Sequence, residues 1–208
     1  MRINSVSTSP DRAGKYRVVF EDGTTMRLYR QTVEDFGLYS GKELEGAALS
    51  RLRTAAGEMS AKMRAVRIVS ASSVSKKELQ QRLVRKGEDP AQAQAAVEWM
   101  TDLDLLDDSK TARQIVENCI RKGYGPARAK QALYEKRIPS DFWVEALADY
   151  PDQSDIILEF LRSRLLPNPD EKAVKRCVDA LLRRGHTYRS IRRGLEELWL
   201  ETDEFPED

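Results

Sequence analysis

The chain has a single histidine in 208 residues, two cysteines, few aromatics (7 %) and a formal net charge of only +1. One imidazole, His186, with no cysteine pair or carboxylate at ligand spacing, leaves a zinc site short of ligands. No Gly-x-x-x-x-Gly-Lys-Ser/Thr stretch and no Gly-x-Gly-x-x-Gly opening a helix is present, so the common phosphate cradles of nucleotide enzymes are missing. Gly123-Tyr124-Gly125 runs straight into Pro126 between helical flanks and reads as a helix-breaking turn. Asp107-Asp108 precedes an apolar stripe, where a helix cap suits paired acids better than acid–base chemistry. No apolar run approaches the roughly 20 residues that cross a bilayer, and the first residues lack a signal-peptide core, which points to a cytoplasmic protein. Cys119 and Cys177 fall on apolar helical stripes, as expected of reduced, packed thiols. Together these absences favour a non-enzymatic protein that needs neither cofactor nor metal.

What is present is a repeated helical grammar. Ser75 stands three residues before Glu78 as a capping box, Leu79 and Leu83 share a face, and Lys86-Gly87 stops the helix. After Pro126 a second helix carries Ala129, Ala132 and Leu133 and stops at Lys136-Arg137. A third carries Val174, Cys177, Val178, Leu181 and Leu182 and stops at Arg183-Arg184-Gly185. A leucine, two residues, a basic residue and a turn thus recur about every 50 residues, the mark of stacked helical units too small to bury their apolar faces alone. The expected fold is mainly α, a curved and elongated tandem array of three three-helix repeats.

Ala65-Val66-Arg67-Ile68-Val69-Ser70, Ser75, Glu78-Leu79, Leu83, Lys86-Gly87, Leu106-Asp107-Asp108, Gly123, Gly125-Pro126, Leu133 and Ile138 resemble, in order and spacing, the repeat motifs of the RecX family. The resemblance covers most of the chain from about residue 60 onward. It departs from the family pattern at Ala71, Ser72, Thr111, Arg137, where the family tends to have glycine, and His186, where an aromatic is usual. The resemblance implies three tandem three-helix repeats and a regulator that binds the filament of the RecA recombinase on single-stranded DNA, restraining its ATPase and strand exchange. It implies a RecA filament partner, acting on it as a monomer, with weak binding to single- or double-stranded DNA.

Residues 1–56 read differently. Strand formers at 16–21 and 24–30 flank Asp22-Gly23, a two-residue hairpin signal that would set Val19 opposite Met26 and Arg17 opposite Leu28, with residues 3–7 as a third strand. A short helical turn is expected at 32–36, then helices at 42–54 and 55–72. The expected segments are the β-hairpin segment 1–56, repeats at 57–106, 107–151 and 152–201, and an acidic tail, 202–208. Within the repeats, helices are expected at 76–86, 90–101, 141–150 and 153–165. Pro167-Asn168-Pro169 is a rigid break, and Asp170 and Thr187 are caps.

The cations fall into three groups. Lys76, Lys77, Arg82, Arg85 and Lys86 surround one helix; Arg121, Lys122, Arg128 and Lys130 straddle the next turn. Lys172, Lys175, Arg176, Arg183, Arg184, Arg189, Arg192 and Arg193 stand against one acid, Asp179. Such a concentration reads as a binding surface for phosphates or an acidic protein groove, with Tyr124 and Tyr188 positioned to stack on a nucleotide. A direct DNA-binding module built on helix-turn-helix-like pairs, and a scaffold for another protein, fit the same residues.

Overall fold

The computed structural model describes residues 1–165 and 170–203, so the Pro167-Asn168-Pro169 break and the acidic tail from 204 onward lie outside the described residues. Strands β1 (Ile3–Val6), β2 (Lys15–Phe20) and β3 (Thr25–Tyr29) form an antiparallel sheet in that order. The hairpin register differs by one residue from the sequence expectation: Val19 faces Thr25, Val18 faces Met26 and Arg17 faces Arg27. The cause is Gly23, which takes the left-handed conformation (φ 81°) and lengthens the loop to three residues, Glu21-Asp22-Gly23. In this register Val18, Phe20 and Leu28 share the buried face, whereas the two-residue loop would have carried Arg17 to the face of Leu28.

Helix α1 (Arg30–Asp35) follows, and then α2 (Gly46–Ala71) runs unbroken for 26 residues. The expected pair of helices at 42–54 and 55–72 is therefore one helix with a later start. Lys42, Glu43 and Leu44 look helical by composition, but their backbones pair with residues 1–3 at the start of the first strand: Ile3 N–H donates to Lys42 O at 2.8 Å and Leu44 N–H to Met1 O at 2.9 Å. Helix α2 serves two cores. Leu52 seals the sheet with Ile3, Val18, Phe20 and Leu28, and Ala61, Ala65 and Ile68 pack on α3 (Lys76–Arg85) and α4 (Pro90–Asp102) through Leu79, Leu83, Ala93, Val97 and Met100.

The chain divides into two compact units, Met1–Leu106 and Asp107–Asp208. In the second, α5 (Asp108–Arg121), α6 (Pro126–Glu135) and α7 (Trp143–Leu147) enclose Ala112, Val116, Leu133 and Ile138. Helices α8 (Ser154–Leu165), α9 (Glu171–Arg183) and α10 (Tyr188–Asp203) enclose Ile157, Leu161, Cys177, Leu181, Ile191 and Leu198. The helix expected at 141–150 is shorter, a 3-10 turn (Ser140–Phe142) leading into α7; Trp143 and Leu147 pack inward, but Val144 is 81 % exposed. The caps form as the sequence indicates. Ser75 Oγ accepts from Glu78 N–H at 3.1 Å, Asp107 from Ser109 and Lys110, Asp170 from Ala173, and Thr187 from Ser190. Backbone donors from Lys110 and Ser109 hold the Asp107 carboxyl below its usual range, so this acid is fixed as a cap. The mainly helical architecture with a small N-terminal sheet matches the expected fold class.

The recurrent leucine-to-turn pattern has one physical meaning. At the ends of α3, α6 and α9, a backbone N–H two residues past the cap donates to the carbonyl of the leucine: Glu88 to Leu83 at 3.1 Å, Ile138 to Leu133 at 3.0 Å and His186 to Leu181 at 3.1 Å. Each is a Schellman motif, and each needs a left-handed residue in the turn. Gly87 (φ 89°) and Gly185 (φ 87°) supply it without strain, but the middle copy uses Arg137 at φ 57°. An L side chain there costs about 1–2 kcal/mol, partly offset because glycine loses more freedom on folding. Arg137→Gly is accordingly expected to stabilise the second unit by about 0.5–1 kcal/mol, read as a rise of a few degrees in its melting midpoint.

Candidate interaction surface

Within the second unit two turns seat on each other by backbone alone. Gly125 N–H donates to Arg184 O at 2.9 Å and Ala127 N–H to Gly185 O at 3.3 Å. A Cβ on Gly125 would lie 2.1 Å from Gly185 O, and one on Gly185 would lie 2.2 Å from Arg128 N, so neither position admits a side chain unless the turns part. Beside this seat His186 is buried and its ring Nε2 lies 3.2 Å from Gly123 O. Burial pulls its pKa below the ordinary histidine value, and because the Gly123 carbonyl oxygen can only accept, Nε2–H is the donor. Tyr150 closes the other side, its hydroxyl donating to Tyr124 O at 2.6 Å, and burial pushes its pKa up to about 12. Burial likewise raises both thiols, Cys119 and Cys177, which are free and buried.

Folding sorts the candidate cations. In the first group Arg82 is paired with Glu78 on its own helix, and Lys76 and Lys77 face Glu98 and Asp102 across a groove of about 490 Å³ between α3 and α4, so this surface is close to balanced. Arg85 and Lys86 are exposed. In the second group Arg121 is held by Asn118 and Arg128 by Glu135 at 3.0 Å, while Lys122 and Lys130 are exposed. Arg128 and then Gln131 draw the Glu135 carboxyl below its ordinary range, so the pair remains charged. Tyr124 is half-buried, whereas Tyr188 is 65 % exposed at the start of α10.

The third group is the densest and the least compensated. Lys172, Lys175, Arg176 and Arg183 recur at helical spacing on the outer face of α9, opposite Cys177 and Leu181, and all are exposed. Arg189, Arg192 and Arg193 form the matching stripe on α10, where Arg192 is paired with Glu196 at 2.8 Å. Lys172, Lys175, Arg176, Arg183, Arg189 and Arg193 have no ion pair among the described residues. Arg184 lies apart from the stripe, its guanidinium 5.0 Å from the Phe160 ring centroid, and Arg164 sits over the same ring at 3.8 Å. Arg164 escaped the sequence reading because it precedes the basic stretch on α8; its signal is the four-residue spacing from Phe160.

These features define a helical-repeat protein that presents a concentration of exposed cations on paired helices. Residues 107–147 match the family model described as RecX, second three-helix domain. A regulatory protein RecX from Xanthomonas campestris pv. campestris (strain B100) is 36 % identical over 121 residues, which is 57 % of this chain and 75 % of the relative. One from Vibrio campbellii is 27 % identical over 136 residues, covering 64 % of this chain and 88 % of the relative. A crystal structure of a regulatory protein RecX superposes with a TM-score of 0.63 at 18 % identity over 92 % of this chain and 98 % of the other, and shares the fold. The chain belongs to the RecX family of regulatory proteins. Among the described residues no helix is long and apolar enough to cross a membrane.

Proposed function

We propose that this protein is a non-enzymatic regulator of the RecA recombinase that seats along the groove of the RecA filament on single-stranded DNA. The reading rests on membership of the RecX family and on one observation, the row of exposed cations along α9 and the start of α10, most of which have no ion pair among the described residues. Six neighbouring cations without an ion pair among the described residues suit an anionic partner. Seated in the groove, the helical repeats contact more than one recombinase subunit, exclude the second DNA strand and hinder the subunit motion coupled to ATP turnover. Strand exchange and ATP hydrolysis both fall as a result. The repeat boundaries 57–106, 107–151 and 152–201 are proposed as the units that make successive contacts.

The test is the single-strand-dependent ATPase of the matching recombinase, titrated with this protein well below one molecule per subunit. The wild-type chain is expected to inhibit at these ratios. Lys175→Glu, Arg176→Glu and Arg183→Glu together should raise the half-inhibitory concentration on the order of a hundredfold, the scale of a few kcal/mol of charge repulsion. Arg184 is left intact because its guanidinium lies over the Phe160 ring, apart from the stripe. Unchanged inhibition by the triple variant, with its helicity retained by circular dichroism, sinks the assignment of this surface.

A further inference from the structure

The outward face of the N-terminal sheet has a charge arrangement that folding alone does not favour. Arg17 on β2 and Arg27 on β3 are direct cross-strand partners, and like charges placed opposite each other destabilise a sheet. Arg27 is compensated, its Nε donating to Asp11 Oδ2 at 2.9 Å, and this pairing pulls the Asp11 carboxyl down to about 2. Arg17 is exposed and has no ion pair among the described residues. On the same face the Lys15 ammonium lies 4.8 Å from the centroid of the Tyr29 ring. The opposite face is filled by Val18, Phe20 and Leu28, so the sheet needs no cation to hold it together.

We propose that this face is a binding platform for single-stranded nucleic acid, separate from the α9–α10 surface. With Arg27 held by Asp11, the guanidinium of Arg17 holds a backbone phosphate, and the ring of Tyr29 stacks on a base while Lys15 swings from the ring onto a second phosphate. Two cations two residues apart on one face of β2, Lys15 and Arg17, call for closely spaced negative charges, and the guanidinium fork of Arg17 matches phosphate oxygens two at a time. An aromatic ring beside them suits a strand whose bases are unpaired and free to stack. An acidic peptide added to the edge of β3 would use its backbone groups instead and leave the charges on the face idle.

The experiment measures fluorescence anisotropy of a labelled oligo-dT with the full chain and no recombinase present, so its result is independent of the filament reading. Arg17→Thr is expected to weaken binding about five- to tenfold and to lower the salt slope by about one. Because the cross-strand repulsion is removed, the same variant should melt at the wild-type temperature or above it. Unchanged affinity and salt slope in Arg17→Thr overturns the platform. A duplex of equal length binding more tightly than oligo-dT, or poly-glutamate of equal charge displacing oligo-dT as well as unlabelled oligo-dT does, also overturns it. A clear fall in melting temperature accompanying the lost affinity overturns it too, since Arg17 would then be holding the sheet.

Discussion

Gly185→Ala should cost the second unit about 4–5 kcal/mol, which places it among the most damaging single substitutions open to the chain. Part of this is conformational, because residue 185 sits at φ 87° and an L side chain there is strained by about 1–2 kcal/mol. The remainder is steric and polar. The new Cβ would lie 2.2 Å from Arg128 N, so the turns must separate and the bonds from Gly125 N–H to Arg184 O and from Ala127 N–H to Gly185 O are lost in a buried setting. Gly125→Ala isolates the second part, since residue 125 has φ −79°, which any residue adopts, yet its Cβ would meet Gly185 O at 2.1 Å. That variant is expected to cost about 3 kcal/mol. Urea unfolding followed by circular dichroism measures both, and the difference between the two variants gives the backbone strain alone. A neutral Gly125→Ala would mean that the turns do not touch.

Arg64→Ala should destabilise the first unit by about 2–3 kcal/mol. Glu88 follows the turn after α3, and its side chain is only 7 % exposed. Arg64 Nε donates to its Oε1 at 2.8 Å and Ser60 Oγ to the same oxygen at 3.1 Å, while Arg64 Nη1 reaches Lys86 O at 2.7 Å. Removing the arginine leaves a buried carboxylate with a hydroxyl as its remaining protein partner and frees a carbonyl at the helix end. The full cost of breaking a buried pair is about 3–5 kcal/mol, reduced here because the arginine side chain is one-third exposed. Arg64→Ala combined with Glu88→Leu should recover most of the loss, because the charge left without a partner is then gone. Thermal melts of the two single variants and the double variant decide the matter; equal damage in Arg64→Ala and in the double variant would show that the arginine stem, not the ion pair, does the stabilising.

The elements that carried their own punctuation were legible in the sequence. Ser75, Asp107, Asp170 and Thr187 cap as their residue types dictate, and the three Schellman ends follow from leucine, a basic cap and a turn residue. Errors arose where one local signal had two outcomes. Asp22-Gly23 fits a two-residue loop or the end of a three-residue one, and burial of Val18 and Phe20 decides between them. Residues 42–45 have helical composition, yet the unpaired edge of β1 takes their backbone groups.

The basic surface was legible as a concentration of charge but not in its working parts. Pairings at four-residue spacing, Glu78 with Arg82 and Arg192 with Glu196, could be found by counting along a helix. The pair of Arg64 and Glu88 and the seating of residue 125 on residue 184 join distant segments, and the second is carried by backbone atoms that every sequence has.

That backbone-only seat bears on how the surface can change over time. Arg128 and Arg184 project from positions whose main chains are pinned by glycines and carbonyls, so the anchoring is indifferent to the side chains they carry. Descendants of this protein are therefore free to exchange charge, size or aromaticity at those two sites and adopt new partners, provided that Gly125 and Gly185 stay bare.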